Sequence, residues 1–542
     1  MSTMQTESDR RCFLLFGTPS WVVFSVALPL LAQNCLQMVF RFFDAFTAAN
    51  MSMHVVTTVA FSNDIKYMLD AIGAGLSVGV GIIISRSFGR NEMEEIRRQI
   101  STVFFVALFL VAALFLAVIP FSAPLLRLFS FPEELLASGS VFLSLNVVSL
   151  LFSFINTIFF ATEKARGRTK IVMYGNLVTL IVKTVLNVGI VMLVSGGILV
   201  AEKAMYLLPV ASCVSFGAVS VFVLSRMFSR QNIFRVSWKY TSFRKHFLLP
   251  LAKLSFPVFV ERFLLYFGKV VCNGLFVVFG SIGVAAPSCA ISICSLVTEP
   301  FKAFQDAESS IVATNLGNRN VRRSVSFIGY TGLFIFALGI LLFSGVAFFS
   351  EYLIRFFAKG NEELVGSMRV IYHIVRWAAL FDALDSIACG FLYACKKTRL
   401  PVIVNIMKLF VVRIPLFLFL TRMWRQGIEA VGWSIYVSNG VDGLLSAVFV
   451  IYAIIELKRT SAIEASNNEK LTAAITALGR WDAFDEHQAN RHGISVPSEV
   501  LEAMRDEFGG TLTAQEMTDA YKVAIVEARI AELEKHEMEQ VS

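Results

Sequence analysis

Four polar residues on the first apolar segment of the chain lie at helical spacing. Asn34, Gln37, Arg41 and Asp44 are separated by three, four and three residues, which places them on one face of a helix. A charged side chain at the centre of a bilayer costs about 2.5–3.5 kcal/mol on insertion scales. We therefore expect this face to line a wet interior. The alternative is that Arg41 and Asp44 lie near the outer end of the helix and pair only with each other.

Further polar residues lie on the second and fifth apolar segments. Lys183 falls near the middle of the fifth segment, with Asn187 one helical turn beyond it. A lysine at that depth must be neutral, paired or hydrated, and we predict Asp44 as its partner. The predicted site of this half of the chain comprises Asn34, Gln37, Arg41, Asp44, Tyr67, Lys183 and Asn187.

The second half of the chain carries different chemistry at its apolar segments. Glu261 and Lys269 lie on the seventh segment, and Asp382 and Asp385 lie on the tenth, with Asp382 near the middle of the span. Ionisable residues within membrane segments usually mark ion or substrate pathways. These four residues form a second predicted site, which is more acidic than the first.

The elements that must position these residues are membrane-spanning helices. The chain is 56% hydrophobic and 16% charged, with a mean hydropathy of +0.67, whereas soluble domains carry about 25% charged residues. Twelve apolar segments lie between residues 18 and 456, and each is long enough to cross about 30 Å of hydrocarbon. They lack the alternating pattern of a membrane barrel. We predict an all-α polytopic membrane protein with twelve transmembrane helices.

The spacing of residues 29–89 returns 228 residues later, at residues 257–317. The first stretch begins PLLAQNCL and ends SRSFG, the second begins PVFVERFL and ends ATNLG, and they align without a gap. This predicts two six-helix repeats, an N-lobe and a C-lobe. The prolines and glycines repeat while the ionisable residues do not, since Asp44 corresponds to Cys272. We therefore expect two unlike sites, one with a lysine and one acidic.

The distribution of charge predicts orientation and domain limits. Lys and Arg concentrate in alternate loops, which by the positive-inside rule places both termini in the cytoplasm of a protein of the cell membrane. From residue 461 onward, 7 Lys and Arg stand against 16 Asp and Glu. A soluble acidic tail of this kind could mediate a protein contact or self-association. The predicted divisions are an N-lobe at 1–228, a cytoplasmic linker at 229–249, a C-lobe at 250–458 and a helical cytoplasmic tail at 459–542.

The sequence lacks the common signatures of catalysis. GxxxxGK[ST] and HExxH are absent, so neither P-loop ATP hydrolysis nor metal-dependent hydrolysis of the HExxH type is indicated. The eight cysteines are scattered without CxxC spacing, which argues against a metal site. We expect a protein that is not an enzyme, has no cofactor, binds no nucleic acid and contacts membrane lipids.

Two repeated halves with ionisable residues in the membrane are typical of a secondary transporter. Several segments also resemble one transporter family, multidrug and toxic compound extrusion (MATE), over residues 15–456. ALPLLAQNCLQMVFRFFDAF resembles its first helix, with Pro29 and Asp44. SRSFGRN, ARGRTK and ATNLGNRN resemble its loops after helices 2, 4 and 8, FPVFVE its helix 7 with Glu261, and FDALDSIACGFLYACKKT its helix 10 with Asp382.

The resemblance implies export of small organic compounds, often cationic, in exchange for H⁺ or Na⁺. A carboxylate in a partly desolvated cavity holds a proton, a metal ion or a substrate cation, but only one of them well at a time. The chain departs from the family on helix 5, where many members have asparagine and then aspartate but this sequence has Lys183 and Asn187. Because Lys183 stands where an ion would bind Asp44, we expect H⁺ rather than Na⁺ as the coupling ion.

Two other functions remain open at this point. Basic residues within the membrane segments could receive an anion, which would make the protein an exporter or flippase of an anionic lipid-linked or polysaccharide precursor. Nearby acidic residues roughly balance these bases, which counts against that function. A third possibility is a membrane scaffold or sensor that does not transport and signals through its tail.

Overall fold

The computed structural model describes residues 2–49, 53–128, 131, 133–229, 232, 234–358 and 361–477. Within these ranges, the side chains of residues 2–6, 39–49, 53–57, 60–61, 128, 201–202, 246, 281 and 463–477 lie outside the description. The chain divides into two compact units, Met1–Ala453 and Ile454–Ser542. Residues 454–477, the described part of the second unit, are helical. The predicted tail at 459–542 lies outside the described residues from 478 onward.

Every regular element in the described ranges is helical. The helices are α1 (Ser2–Phe16), α2 (Pro19–Ala49), α3 (Met53–Gly89), α4 (Met93–Val118), α5 (Ser122–Leu128), α6 (Leu136–Ala165), α7 (Thr169–Ser195), α8 (Ala201–Ala204), α9 (Leu207–Phe228), α10 (Lys245–Phe276), α11 (Gly280–Thr298), α12 (Phe301–Gly317), α13 (Val321–Phe348), α14 (Ser350–Ala358), α15 (Glu362–Val375), α16 (Ala379–Ala394), α17 (Arg399–Ile406), α18 (Ile414–Arg422) and α19 (Glu429–Ala477). A π-helix, Met407–Arg413, joins α17 to α18. Short 3₁₀ turns lie at Glu133–Leu135, Trp238–Tyr240, Val277–Phe279 and Arg376–Ala378.

Eleven helical segments in the described part of the chain are long and apolar enough to span a membrane. A twelfth span is the pair Ile282–Thr298 and Phe301–Gly317, which is bent by 47°. The bend falls at Pro300, whose nitrogen cannot donate a helical hydrogen bond. The predicted all-α fold with twelve spans is confirmed, and the eighth predicted segment, at about 284–312, is this bent pair. Helix α1 precedes the first span and was not predicted.

The two lobes pack closely where α3 of the N-lobe meets α10 of the C-lobe. A Cβ atom at Gly75 would lie 2.6 Å from the carbonyl oxygen of Ser255 and 2.9 Å from the backbone nitrogen of Phe259. A Cβ atom at Gly79 would overlap the Ser255 side chain. Small residues allow helix backbones to approach in this way. These glycines therefore set the separation of the two helices.

The eleventh span is not a regular α-helix. The π-helix widens its middle and carries Lys408 near its start and Arg413 at its end. Pro415 follows at the first turn of α18 and has no backbone N–H to donate, which disturbs the regular hydrogen-bond ladder. Single π-helical turns inside α-helices occur frequently at functional sites.

Candidate functional site

Two aspartates of α16 contact polar side chains of α19 inside the C-lobe. Asn439 donates from Nδ2 to Asp382 Oδ1 over 3.3 Å. Ser446 donates from Oγ to Asp385 Oδ1 over 2.7 Å. Asp382 and Asp385 are three residues apart, so both reach the same neighbouring helix. Both predicted aspartates therefore contact polar side chains of α19, and we call these residues and the polar groups around them the C-lobe network.

The π-helix joins this network through its two basic residues. Lys408 Nζ donates to Asp442 Oδ2 over 2.6 Å, and the side chains of this pair are 14% and 3% exposed. Arg413 donates from Nε to Ser438 Oγ over 2.9 Å and from Nη2 to Asn439 Oδ1 over 2.8 Å. Since Asn439 also donates to Asp382 of α16, it connects the arginine of one span to an aspartate of another.

Glu261 lies in the same lobe and is only 3% exposed. Tyr393, near the end of α16, donates its hydroxyl hydrogen to Glu261 Oε2 over 2.7 Å. Arg262 Nε lies 3.9 Å from Glu261 Oε1. One turn before Tyr393 on α16, Cys389 donates from Sγ to Asp385 Oδ1 over 3.3 Å. One face of α16 therefore connects Glu261 to the aspartates.

The network carries more acidic than basic groups. Its ionisable members are Glu261, Asp382, Asp385 and Asp442 with Arg262, Lys408 and Arg413. Among these seven groups, the carboxylates outnumber the basic groups by one when all are ionised. A buried charge without a partner is strongly unfavourable and is relieved by taking up a proton or binding an ion. The arrangement can therefore hold one exchangeable cation.

Sequence reasoning did not place Asp442, Asn439 or Tyr393 in the site. A usable signal was present on the last span, where Ser438, Asp442 and Ser446 recur every four residues. This spacing puts them on one helical face, as in the first span. The basic residues of the eleventh span were recognised as intramembrane charges, but their partners on α19 were not.

Lys269 lies apart from this acidic network. Its Nζ is 3.9 Å from Asp64 Oδ1 of the N-lobe, and the two side chains are 60% and 38% exposed. Tyr67 also lies at the junction of the lobes, where its ring stacks on Tyr266 with centroids 5.6 Å apart. Both predicted site residues therefore join α3 to α10.

In the N-lobe, the polar face of α2 contacts two different helical regions. Asn34 donates from Nδ2 to the carbonyl oxygen of Glu299, at the bend between α11 and α12, over 3.3 Å. Gln37 donates from Nε2 to Asn176 Oδ1 of α7 over 3.4 Å. The polar face of α2 thus bridges the lobes at one level and reaches α7 at another.

Lys183 and Asn187 lie on α7 and are 8% and 3% exposed. Arg41 and Asp44 lie outside the residues whose side chains are described. The pairing of Lys183 with Asp44 therefore stays a prediction. The predicted contrast between a lysine-bearing N-lobe site and an acidic C-lobe site likewise stays a prediction.

The lobes cross each other at the basic-loop end of α3 and α12. A Cβ atom at Gly89 would overlap the carbonyl oxygen of Thr314, and one at Gly317 would overlap that of Arg86. Both glycines and both contact residues are related by the 228-residue repeat offset. The crossing is therefore a pseudo-symmetric contact between equivalent backbones.

Side-chain contacts surround this crossing and join the two lobes. Lys164 Nζ donates to Asp306 Oδ2 over 2.9 Å. Arg86 Nη2 donates to the carbonyl oxygen of Ala394 over 2.9 Å. Arg11 of α1 donates from Nη2 to the carbonyl oxygen of Gly89 in its own lobe over 2.8 Å and to Asn318 Oδ1 of the C-lobe over 3.4 Å. The lobes are thus held together at the end that bears the basic loops.

These features define a class of protein: a multi-pass membrane transporter built from two related helical lobes. The particular family follows from comparison with known proteins. The MatE family model matches residues 29–188 and 257–419, and the chain belongs to this family. The two matches begin at Pro29 and Pro257, the prolines at which the sequence repeat begins.

Individual proteins agree with this assignment. The chain is 22% identical over 417 residues to the probable multidrug resistance protein NorM of Thermotoga maritima. The aligned residues cover 74% of this chain and 86% of that protein. It is 19% identical over 429 residues to the multidrug export protein MepA of Staphylococcus aureus, covering 79% and 92%. The crystal structure of MATE in complex with MaL6 matches with a TM-score of 0.77 at 15% identity, covering 82% of this chain and 99% of that one. The predicted family is confirmed, and these relatives are transporters rather than enzymes.

Proposed function

We propose that the protein exports small organic compounds, chiefly cationic ones, by antiport with H⁺. The relatives named as multidrug resistance and multidrug export proteins support export of organic compounds. The observation that carries the proposal is the surplus carboxylate of the C-lobe network. A proton and an organic cation compete for that charge, so binding of one promotes release of the other.

H⁺ is the coupling ion that the N-lobe favours. Lys183 is a fixed cation on the buried face of α7, 8% exposed. A metal cation needs several oxygen ligands together, and a nearby ammonium repels it. A proton needs only one carboxyl oxygen. Coupling through the C-lobe carboxylates, with Lys183 excluding Na⁺ from the N-lobe, is the arrangement we propose.

The proposed orientation places the basic loops and both termini in the cytoplasm. The lobes contact each other at that end, through Lys164 with Asp306 and through the glycine crossing. The conformation is then closed toward the cytoplasm. Transport would alternate between this state and one in which the lobes separate there and close at the opposite end.

Export of an anionic precursor is less well supported. Each basic group of the C-lobe network lies beside an acceptor, since Lys408 pairs with Asp442 and Arg413 contacts Asn439. An anion entering this site would meet a net negative charge. The surplus carboxylate therefore favours a cation.

The test is efflux driven by a proton gradient. Inside-out vesicles containing the protein are given an acidic lumen. Uptake of a fluorescent organic cation into the lumen is then followed together with release of protons from it. We expect Asp382→Asn to abolish both fluxes. Glu363→Gln, an exposed carboxylate at the start of α15, is the matched control and should transport normally. Unchanged coupled transport in Asp382→Asn, or transport driven by Na⁺ alone, would contradict the proposal.

A further inference from the structure

A cavity of about 160 Å³ lies in the N-lobe, apart from the C-lobe network. The end of α6, the start of α7 and the end of α9 form its walls. Helix α1 and the linker after α9 close it. Because one hydrogen-bonded water needs about 10–15 Å³ of cavity volume measured in this way, the cavity has room for roughly ten waters. Span ends lie at the membrane surface, so this interfacial cavity lies at the boundary of lipid and water.

Two buried carboxylates line the interfacial cavity, each 4% exposed. Arg168 donates to Oε1 of Glu7, and Arg166 donates to Oε1 of Glu163. The second oxygen, Oε2, of each carboxylate has no hydrogen-bond donor among the residues that the structure describes. Arg168 Nη1 is 3.8 Å from Glu163 Oε2, too far for a hydrogen bond. A buried acceptor left without a donor is costly, so both oxygens favour a ligand that donates hydrogen.

Arginines supply positive charge to the same cavity. Arg168 and Arg226 line it, and Arg168 Nε has no acceptor within the described residues. Burial lowers the pKa of Arg168 from its ordinary value, and repulsion from Arg166 and Arg10 acts in the same direction, while Glu163 and Glu7 oppose this shift. An anionic group beside Arg168 would relieve this repulsion. The cavity thus offers places for a hydrogen-donating cation and for an anion.

The cavity also has an apolar side that reaches the lipid. Phe222 of α9 lines it and is 45% exposed, and Ile171 of α7 lines it beside Arg168. Both residues belong to membrane spans. A ligand with a charged head and an apolar chain could therefore place its head in the cavity and its chain in the bilayer.

We propose that the interfacial cavity binds the head group of a phospholipid bearing a primary ammonium, such as phosphatidylethanolamine. The ammonium pairs with the carboxylates of Glu7 and Glu163, which line the cavity. The phosphate accepts from Arg168 and Arg226, and the acyl chains pass Phe222 into the bilayer. A quaternary ammonium has no hydrogen to donate to the carboxylates. A head group without a cation would leave them unsatisfied.

The test measures lipid binding to the purified, delipidated full chain. Native mass spectrometry with phosphatidylethanolamine, phosphatidylcholine and phosphatidylglycerol of identical acyl chains should give roughly tenfold tighter binding of the first, because charge-assisted hydrogen bonds distinguish it. Arg226→Gln should weaken that binding, and its exposed side chain makes the fold tolerant of the change. Ile171→Trp should weaken it by filling the cavity. Lys170→Gln, an exposed basic residue that does not line the cavity, should bind as the native chain does.

Three results would overturn the proposal. The first is equal binding of the three lipids. The second is unchanged phosphatidylethanolamine binding in Arg226→Gln. The third is thermal stabilisation by inorganic phosphate or phosphoethanolamine as large as that by the lipid, which would assign the cavity to a free small molecule. None of these measurements uses transport, so their outcome is independent of the antiport proposal.

Discussion

Adding one methyl group at Gly89 or Gly317 should weaken the contact between the lobes at the basic-loop end. In either variant the new Cβ atom would lie within 3.0 Å of a backbone carbonyl oxygen, closer than Cβ atoms are found in proteins. A backbone atom cannot rotate away, so α3 and α12 must separate. Overpacking of this kind costs about 1–3 kcal/mol. If the cost falls only on the closed state, the open state gains about 5–150-fold in relative population.

The assay is the rate at which a buried thiol in this interface is modified. Thr314 is fully buried beside Gly89, so Thr314→Cys reports on separation of the lobes. We expect a maleimide to label this cysteine about 5–150-fold faster when Gly89→Ala or Gly317→Ala is also present. Gly81→Ala is the matched control, because a Cβ atom there meets nothing within 4 Å.

The repeat symmetry gives this prediction a further check. Gly89 and Gly317 oppose the same separation of the same two helices, so each variant should have a similar effect. Once one methyl has moved the helices apart, the second should add less than the first. Labelling rates in both variants equal to that of Gly81→Ala would refute the idea that this crossing controls closure.

Two further predictions concern the free energy of unfolding, measured for the protein in a mild detergent. Lys408→Met should cost about 3–5 kcal/mol, because it leaves Asp442, with its side chain 3% exposed, buried without its ionic partner. Lys408→Met with Asp442→Leu should recover most of the loss, and equal stability of the single and double variants would contradict this. Gly75→Ala should cost about 1–3 kcal/mol because its Cβ would lie 2.6 Å from the Ser255 carbonyl oxygen. Gly81→Ala, which points into open space, should instead gain up to about 1 kcal/mol from helix propensity, and equal effects of the two substitutions would argue against close packing of α3 and α10.

The packing role of the glycines on α3 is one that the sequence pattern itself indicates. Ala71, Gly75 and Gly79 recur every four residues, which favours close helix contact. The structure places Gly75 and Gly79 against Ser255 of α10. A local pattern was sufficient here because a stripe of small residues allows close approach whichever helix lies opposite.

The partners of the ionisable residues could not be predicted in the same way. Lys269 was grouped with the acidic residues of its own lobe, yet its described contact is Asp64 of the other lobe. Lys408 pairs with Asp442 and Arg413 with Asn439 across different spans. Helical periodicity shows which residues share a face but not which face of another helix opposes it, since that depends on rotation and packing of whole spans.

The sequence by itself determined that this protein lies in a membrane, that it is helical and that it contains a repeat. Apolar segments of membrane length must form helices because lipid satisfies no backbone hydrogen bonds, and the spacing from Pro29 to Gly89 repeats at Pro257 to Gly317. Tertiary structure alone decided that the two terminal glycines of these repeats face each other's backbones, and that Asp382 and Asp385 share one network with α19. The physical reason is that apolar length and repeat spacing are properties of local sequence, whereas charge pairing depends on which helices pack together.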